Sequence, residues 1–480
     1  MHKRHPVIIV GSGPAGIAAA DLLARHGLAI FMIDDNPRMG GQLLRTLSPA
    51  ASGHRRFEPD RLKTRGLRMA RQLVRHPRVH LLQSAQVLGI YPERTVLVEQ
   101  PDGRLCEHQA DTIVVAAGAR ERHLPFKGWT LPGVISTGAA QILMKSSGIL
   151  PGRSTLIGGC GPLMLVLAAE IAARGGCVRA LLDQSPMSRK IGAFLAGPAV
   201  WPKILEGAVC ILRLAAGRVP VKQGLRIVEA RGARHLEAVV AARTDADGRI
   251  RPGTERTYPA ETLAVGHGFA PNIELPQQAG CALSYDVDKG GWVVDVDPAM
   301  ATSVPGIYAA GETTGIAGAG KSFVEGRIAA WDILFKTGRV DLRECERRVG
   351  PLQRRRQQQV RYGRFLNRLC RVPPACYADI ADETLICRCE EITMGEIRGR
   401  LRQGFATLNG IKRATRCTMG NCQGRTCGPI LSDIIGMFTT MPPEAAGCPS
   451  MRAPLKPVAL GALAALSDSA VSGRRDEIQC

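Results

Sequence analysis

The feature that most constrains the fold is a glycine-rich turn directly after a run of β-branched residues. Residues 7–10 read VIIV and are followed by GSGPAG, in which Gly11, Gly13 and Gly16 have the spacing G-x-G-x-x-G. An apolar helical segment and a second hydrophobic strand follow, and Asp34 ends that strand. In such a unit the first glycine makes the tight turn, the second lets the backbone approach a pyrophosphate, and the third allows close helix–strand packing. The sequence therefore predicts a dinucleotide site, with Asp34 as acceptor for a ribose hydroxyl.

A second unit of the same kind begins near residue 154. A hydrophobic strand runs into Gly159 and Gly161, an apolar helix follows, and the next strand ends at Asp183. The third glycine position is occupied by Met164, whose bulk works against the close helix–strand contact. The pattern predicts a second Rossmann-like domain and leaves open whether it holds a working NAD(P) site. Without one, it could still bind another adenine nucleotide.

The order of the segments places the second unit inside the first. Hydrophobic stretches at 112–121, 261–272 and 304–330 flank the second unit and have the character of the first domain. We predict an α/β protein with two Rossmann-like domains, the second inserted in the first, and a small helical C-terminal domain. The predicted boundaries are 1–125 with 255–340 for the first domain, 126–254 for the second, 341–375 for a linker, 376–440 for the C-terminal domain and 441–480 for a tail.

Cysteines are concentrated near the end of the chain. Of the 15 cysteines, seven lie between Cys370 and Cys427. Cys387 and Cys389 precede a spacer, and Cys422 and Cys427 follow it. Two close pairs of thiolates can supply four ligands to a [2Fe–2S] cluster or to a zinc ion. Incidental buried cysteines are the third interpretation.

The spacer itself has helical signals. Thr393 and Glu396 have the T-x-x-E spacing of a capping box, in which each side chain binds a backbone N–H of the first turn. A second short helix is predicted over residues 408–415. The two cysteine pairs are therefore expected at the two ends of a helical segment.

Five motifs of the first 335 residues occur together in one known group. They are GSGPAG, GGQ at 40–42, VVAAGA, GHGFAPN and YAAGE. This set resembles the two-dinucleotide-domain flavoproteins, the thioredoxin-reductase-like and glutathione-reductase-like group, in which the first nucleotide is FAD. The resemblance implies an FAD site formed by Gly11, Gly13, Pro14, Ala15, Gly16, Asp34, Gly41, Gln42, Val87, Gly118, Gly311, Glu312 and Lys321.

The resemblance also implies a role for each part of this set. The glycine turn faces the pyrophosphate and Asp34 the adenosine ribose. Gln42 lies toward the flavin, Val87 toward the adenine, and Gly118 closes the site from the other side.

Two positions near the predicted flavin are less usual. The turn beside the ribityl chain is commonly Gly-Asp in this group, whereas this chain has Gly311-Glu312. Lys321 lies where a helix is expected to begin with its positive end toward the flavin pyrimidine, which would favour the anionic reduced flavin. A solvated lysine is the alternative interpretation of Lys321.

A redox cysteine pair is missing from the place where disulfide reductases of this group carry one. Residues 133–148, before the second glycine unit, contain no cysteine, and neither does the first helix. Dithiol exchange needs one thiolate to attack and a second to resolve the mixed disulfide. The sequence therefore argues against a thioredoxin or glutathione reductase.

The cysteine motifs have a resemblance of their own. CRCEEIT at 387–393 and TRCTMGNCQGRTC at 415–427 resemble the bacterioferritin-associated-ferredoxin-like [2Fe–2S] domain. The resemblance extends to the version fused to flavoprotein subunits of opine oxidases, hydrogen cyanide synthase and D-hydroxyproline dehydrogenase. It implies a cluster held by Cys387, Cys389, Cys422 and Cys427. Cys417 occupies a position that is often apolar in the family and is left out of the predicted ligands.

The charge of the chain does not indicate nucleic-acid binding. Lys and Arg number 63 against 42 Asp and Glu, a formal net charge of +21, but no nucleic-acid motif accompanies the basic residues. The densest basic run, between Arg354 and Arg371, is typical of a solvated helix face or a docking surface for an acidic partner. No apolar stretch is long enough to span a bilayer, and no signal peptide precedes the first strand. We predict a cytoplasmic protein, peripheral to a membrane at most through its complex.

Three functions follow from these signals. The first is the FAD- and [2Fe–2S]-containing electron-transfer subunit of a heteromeric dehydrogenase that oxidises an amine, imino acid or opine. Its expected partners are a second flavoprotein subunit, which oxidises the substrate, and a small ferredoxin-like subunit. The second function is a self-sufficient NAD(P)H-dependent reductase that passes electrons through its cluster. The third is an iron–sulfur carrier or redox-sensing module with a vestigial flavin domain.

Overall fold

The structure is a computed structural model that describes residues 3–45, 61–185 and 201–466. The strands are β1 (Lys3–Val10), β2 (Ile30–Ile33), β3 (Val79–Leu82), β4 (Gln86–Tyr91), β5 (Thr95–Glu99), β6 (Leu105–Val115), β7 (Ala119–Glu121), β8 (Val134–Ser136), β9 (Ser154–Cys160), β10 (Cys177–Asp183), β11 (Val221–Gln223), β12 (Leu225–Arg231), β13 (Ala238–Arg243), β14 (Arg256–Pro259), β15 (Thr262–His267), β16 (Phe269–Pro271), β17 (Leu283–Asp286), β18 (Gly291–Val294), β19 (Ile307–Ala309), β20 (Leu385–Cys387) and β21 (Ile392–Thr393). The α-helices are α1 (Pro14–Arg25), α2 (Arg61–Val74), α3 (Thr137–Ile142), α4 (Pro162–Ala173), α5 (Trp201–Ala216), α6 (Glu274–Gln278), α7 (Ala319–Lys336), α8 (Leu342–Leu369), α9 (Ala375–Ala378), α10 (Met394–Arg402), α11 (Leu408–Thr415), α12 (Gly428–Thr439) and α13 (Pro443–Ala446).

The first domain is built on a seven-stranded sheet in the order β3-β2-β1-β6-β5-β4, with β19 also paired to β6. The strands β1, β2, β3, β6 and β19 run parallel, whereas β4, β5 and the start of β6 pair antiparallel. Residues 7–10 of β1 are buried, as a parallel strand covered on both faces requires. Helix α1 begins at Pro14, a residue suited to the first helical position, and packs against β1 and α7.

The second domain has a parallel five-stranded sheet in the order β11-β10-β9-β15-β8, with an antiparallel sheet of β12, β13 and β14 beside it. The sequence boundary at residue 255 is too early, because β15 pairs with β9 along residues 262–267 and so belongs to the second domain. The chain returns to the first domain through β16, which pairs with β7. The predicted α/β class, with two Rossmann-like units and a helical C-terminal region, is confirmed.

The predicted linker is largely helical. Helix α8 extends for 28 residues, starts with the Asp341 carboxylate accepting from the backbone N–H of Glu344 at 2.7 Å, and packs against α7. Several arginines of the basic run hold α8 to acidic residues of the first domain. These ion pairs are Arg356–Glu325, Arg364–Asp286 and Arg368–Asp288. Three arginines of the run thus bind the protein itself, although Arg364 and Arg368 remain 49% and 67% exposed, so the face is still largely solvated.

The cysteine domain, residues 376–440, has the predicted local structure. Thr393 and Glu396 form the capping box of α10, and α11 spans the predicted residues 408–415. Buried side chains of α9 to α12 form its core together with the thiols discussed below.

The tail does not remain apart from the other domains. The backbone N–H of Leu455 donates to the carbonyl of Leu88 at 2.8 Å, and residues 460–466 are helical. Leu463 and Leu466 pack on a small core of the antiparallel strands of the first domain. Residues 467–480 of the predicted tail lie outside the described residues.

Candidate cofactor sites

The first glycine turn has one position open to a ligand and two closed by packing. A Cβ on Gly11 would lie 2.4 Å from the Ala116 carbonyl oxygen, and one on Gly16 would lie 1.9 Å from the Gly11 carbonyl oxygen. Gly11 also has a φ of +99°, a conformation suited to glycine. By contrast, a Cβ on Gly13 would have no atom within 4 Å. The backbone is thus uncovered at the position where a pyrophosphate approaches.

The start of α1 lies at this open position. Gly13 is its N-cap residue and supplies no side-chain hydrogen bond, and Pro14 occupies the first turn. The first turn of a helix offers backbone N–H groups and a positive dipole end to an anion. Ala15 is buried, with its backbone approached closely by Gly326 of α7, where a Cβ would lie 2.1 Å from the Ala15 carbonyl oxygen.

Asp34 lies at the end of β2, beside the turn, and its carboxylate is engaged within the protein. One oxygen accepts from the backbone N–H of Ser12 at 2.5 Å and from the Ser12 hydroxyl at 2.6 Å. The other accepts from the backbone N–H and side-chain amide of Asn36 at 2.8 and 2.9 Å. These bonds fix the turn and bring the acid to the site, and the ribose contact stays a prediction.

The remaining predicted contact residues lie in three other segments of the first domain. A Cβ on Gly41 would lie 2.9 Å from the Gly13 Cα, so this segment adjoins the glycine turn. Gln42 is exposed and Val87 is half-buried at the start of β4. Gly118 has a φ of +73°, nothing within 4 Å of a Cβ, and a carbonyl that accepts from the Asn272 N–H at 3.0 Å.

The Gly311-Glu312 turn lies beside the start of α1. A Cβ on Gly311 would lie 3.0 Å from the Ala15 Cβ. The Glu312 carboxylate accepts from the backbone N–H groups of Ala317 and Gly318 at 3.2 and 2.7 Å, which places it at the start of α7. Burial raises the pKa of Glu312, although nearby Lys321 acts in the opposite direction. The longer side chain therefore serves as a local cap of the turn.

Lys321 is neither solvated nor directed outward. Its side chain is 2% exposed, and its ammonium donates to the Gly311 carbonyl at 2.6 Å, the Thr314 hydroxyl at 2.7 Å and the Gly315 carbonyl at 2.9 Å. It also lies 2.9 Å from the carboxylate of Glu325, which is fully buried. The alternative interpretation of a solvated lysine is therefore wrong, and the donors of the ammonium are directed at protein oxygens. The predicted contact of Lys321 with the flavin stays a prediction.

Glu325 completes this network and was not predicted from the sequence. It accepts from the Gly311 N–H at 2.9 Å and the Thr314 hydroxyl at 2.7 Å, and it pairs with Arg356 of α8 at 2.8 Å. Burial alone would raise the pKa of Glu325, but Lys321 and Arg356 reverse this and leave the pKa lowered. The spacing of Lys321 and Glu325, four residues apart on a helix, was the signal available in the sequence.

These observations fit a dinucleotide in the first domain. The backbone is open at Gly13 and Gly118, the turn at Gly311 adjoins the start of α1, and Gly11 and Gly16 are closed by packing. The backbone donors and the uncovered glycines are those that a pyrophosphate-containing nucleotide needs.

The thiols of the cysteine domain form two groups. Cys387 at the end of β20, Cys417 after α11 and Cys427 at the start of α12 have sulfur atoms within 4.8 Å of one another, and all three are buried. Cys389 and Cys422 hydrogen-bond to each other beside them and are more accessible. The four predicted ligands and Cys417 are thus brought to one end of the domain.

The surroundings of the sulfurs favour thiolates at two positions. Hydrogen bonds from Cys417 and Cys427 lower the pKa of Cys387 to about 2, against the effect of burial. Burial raises the pKa of Cys422, but the backbone N–H groups of Thr426 and Gly424 outweigh it and lower the pKa overall. Backbone N–H groups directed at sulfur are the arrangement expected around an iron–sulfur centre. A set of four thiolates fits either a [2Fe–2S] cluster or zinc.

The second glycine turn differs from the first. Gly159 is closed by packing, since a Cβ there would lie 2.0 Å from the Gly266 carbonyl oxygen. Met164, in place of the third glycine, is 1% exposed and belongs to the core of the second domain. The Asp183 carboxylate accepts from the Ser185 N–H at 2.8 Å. The bulky residue is thus accommodated by the core between helix and sheet.

The fold and these sites define a class of flavin-dependent oxidoreductase. The chain belongs to the pyridine nucleotide-disulphide oxidoreductase family, whose model matches residues 5–332, and residues 381–467 match the sarcosine oxidase A3 domain. It is 31% identical to an opine oxidase subunit of Agrobacterium tumefaciens (strain Ach5), over 97% of this chain and 92% of the relative. It is 34% identical to the hydrogen cyanide synthase subunit HcnB of Pseudomonas aeruginosa, over 89% and 91% of the two chains.

A solved structure of similar fold covers most of the chain. L-proline dehydrogenase from P. horikoshii superposes with a TM-score of 0.69 and 20% sequence identity, over 96% of this chain and 80% of that one. At this identity the similarity shows the fold alone. Within the described part of the chain, no helix has both the length and the hydropathy needed to cross a membrane.

Proposed function

We propose that this chain is the FAD- and [2Fe–2S]-containing electron-transfer subunit of a heteromeric dehydrogenase, and that the complex oxidises a C–H bond next to nitrogen in an amine, imino acid or opine. The relatives support this proposal, because they are named as subunits of opine oxidase, hydrogen cyanide synthase and sarcosine oxidase. Opines and sarcosine share a secondary amine next to a C–H bond. We place the substrate-oxidising site on a second flavoprotein subunit, and the further partner is a small ferredoxin-like subunit.

The observation that carries the proposal is the docking of the thiol-bearing domain directly on the nucleotide-binding domains. Asp433 of α12 accepts from the Arg122 guanidinium at 3.0 Å and from the Tyr377 hydroxyl at 2.7 Å. The Trp129 indole N–H donates to the Leu385 carbonyl at 2.8 Å, two residues before Cys387. Side chains of the nucleotide-binding domains thus bind the cysteine domain directly, and this contact supports electron transfer between centres bound in the two parts of the chain.

A polar chain also leads from the backbone of Cys422 toward the predicted flavin side. Arg425 donates to the Cys422 carbonyl at 3.2 Å and is attracted by Glu274. Glu274 pairs with Arg120, which donates to the Asn272 side chain at 2.7 Å. Asn272 in turn donates to the Ala117 carbonyl at 2.7 Å, next to Gly118. These contacts support a fixed relation between the two sites.

We assign the cluster to Cys387, Cys389, Cys422 and Cys427. Bound FAD would supply a two-electron acceptor and the cluster a one-electron carrier. The protein contributes the open glycine turn that holds the nucleotide, the buried network at Glu325 that shapes the turn around Gly311, and the thiolates. Residues 133–148 hold no cysteine pair, so the proposed chemistry does not include disulfide exchange.

The test is a set of single Cys→Ser variants, purified under anaerobic conditions with and without the proteins encoded beside this chain. Replacing Cys387, Cys389, Cys422 or Cys427 is expected to remove iron, acid-labile sulfide and cluster absorption, while FAD stays bound. Cys210→Ser, a buried cysteine of the second domain, is the matched control and is expected to keep the cluster. Loss of the cluster in Cys417→Ser together with its retention in Cys422→Ser would refute the assignment, and stoichiometric zinc would refute the electron-transfer role.

The catalytic part of the proposal has a separate readout. The complex, but not the isolated chain, is expected to oxidise amino acids or opines with an artificial acceptor. Rapid flavin reduction by NADH in the isolated chain would instead support a self-sufficient reductase.

A further inference from the structure

The two glycine turns differ at their middle glycine. A Cβ on Gly13 would meet nothing within 4 Å, whereas a Cβ on Gly161 would lie 2.5 Å from the sulfur of Cys370. Both residues come between strand and helix at the position that lets a backbone approach a pyrophosphate. In the second domain, Cys370 at the end of α8 occupies this position.

Three strand ends hold this residue in place. The Cys160 thiol, at the end of β9, donates to the Cys370 carbonyl at 3.2 Å. The Ser185 hydroxyl, just after β10, donates to the Leu369 carbonyl at 3.4 Å. A Cβ on Gly268, just after β15, would lie 3.0 Å from the Cys370 Cβ. The carboxyl ends of neighbouring parallel strands form the crevice in which open α/β sheets bind ligands, so α8 ends inside that crevice.

The electrostatics of the contact resemble those of a bound phosphate. The last carbonyls of a helix carry partial negative charge, and the first N–H groups carry partial positive charge. The end of α8, at Leu369 and Cys370, meets the start of α4, whose N-cap Gly161 supplies no side-chain hydrogen bond. The negative end of one helix thus faces the positive end of another, where a dinucleotide would place its pyrophosphate.

We propose that the end of α8 is a built-in occupant of the second dinucleotide site. Leu369 and Cys370 fill the position of a pyrophosphate, so that the second domain binds a segment of its own chain in place of a dinucleotide. Because residues 371–375 lead from α8 into the cysteine domain, the same contact anchors the start of that domain. The second domain is therefore a structural support that connects α8 to the cysteine domain.

The first test is nucleotide binding by the full chain loaded with FAD. Calorimetric titration with NAD⁺, NADH and ADP up to millimolar concentration is expected to show no saturable binding. One-to-one binding of any of them would overturn the proposal. This measurement needs no variant and is independent of whether the complex oxidises amines.

The second test is a double-mutant cycle on the thermal midpoint of the FAD-loaded chain. Gly161→Ala is expected to lower the midpoint, both because its Cβ would meet the Cys370 sulfur and because its φ is +102°. Cys370→Ala removes only the sulfur, so the loss caused by Gly161→Ala is expected to be smaller in the Cys370→Ala background. Gly268→Ala, which would meet the Cys370 Cβ rather than its sulfur, is the control whose effect Cys370→Ala leaves unchanged. If the effects of Gly161→Ala and Cys370→Ala are simply additive, the sulfur does not fill the turn and the proposal is wrong.

Discussion

Replacing Lys321 by Met tests whether the buried network at the start of α7 supports the fold or faces the cofactor. The substitution keeps a similar length and removes the ammonium. The carbonyls of Gly311 and Gly315 then lose a donor, and Glu325 keeps only Arg356 as a charged partner. Both Lys321 and Glu325 are almost completely buried, with side-chain exposures of 2% and 0%.

The size of the effect follows from this burial. Removing one partner of a buried ion pair costs about 3–5 kcal/mol, because the remaining charge and acceptors stay desolvated. Arg356 still compensates Glu325, so we expect about 3 kcal/mol, the lower end of that range. Lys336→Met is the matched control in the same helix, since Lys336 pairs with Asp332 four residues away but is 56% exposed. A surface pair of this kind contributes about 0–1 kcal/mol.

The assay is urea unfolding followed by the fluorescence of released FAD, with circular dichroism as a second probe. Because the chain has several domains, the transition of the first domain has to be identified by its flavin signal. Lys321→Met is expected to release FAD at clearly lower urea than wild type and Lys336→Met to match wild type. The flavin midpoint potential of intact Lys321→Met is expected to stay nearly unchanged.

The opposite pattern would refute this reasoning. A Lys321→Met protein as stable as the control, with a flavin potential lower by tens of millivolts, would show that the ammonium faces the reduced flavin. For a two-electron couple about 30 mV corresponds to roughly 1.4 kcal/mol, so such a contact is measurable.

Four further predictions use other parts of the structure. Burial lowers the pKa of His267 from 6.5 to about 3, so below pH 6.5 the unfolded chain binds a proton that the native chain does not. As the pH falls below 6.5, the free energy of unfolding should therefore decrease by roughly 1.4 kcal/mol per pH unit at most. Urea unfolding at several pH values should show a less steep decrease for His267→Asn. Glu325→Gln should be less stable than wild type at neutral pH. This difference should shrink as the pH falls below 4.5 toward the lowered native pKa of Glu325. A difference in urea midpoints that stays constant with pH would contradict the negative charge assigned to Glu325. Gly13→Ala should weaken FAD binding with little change in apoprotein stability, because its Cβ enters empty space; unchanged FAD affinity by fluorescence titration would place the nucleotide elsewhere. Arg122→Ala should lower stability by about 3 kcal/mol at most, because Asp433 is 15% exposed and keeps the Tyr377 hydroxyl as a donor after it loses its ion pair. Limited proteolysis should then cut between α8 and the cysteine domain faster than in Arg4→Ala, whose exposed pair with Asp111 is the control.

Local patterns in the sequence were sufficient for much of the fold. The β-branched run before Gly11, the glycine spacing and the acid after β2 depend on neighbouring residues, so they predict a Rossmann unit without knowledge of distant contacts. The same is true of the Thr393–Glu396 capping box and of α11, which the structure confirms. Family membership and the FAD-binding oxidoreductase fold follow from these patterns as well.

Contacts between distant residues decided the rest. Sequence could not assign β15 to the second domain, because strand pairing joins residues more than 100 positions apart. The burial of Lys321 could not be predicted from the sequence, because a charged side chain is expected at the surface. It depends on how α8 and the Gly311 turn pack around this side chain. The contacts of Cys417 and Cys370 had no local signal in the sequence either. Only folding brings Cys417 to Cys387 and Cys427, and Cys370 to Gly161. The spacing of residues along the chain determined which elements form, and the packing of those elements determined what each buried polar group and thiol meets.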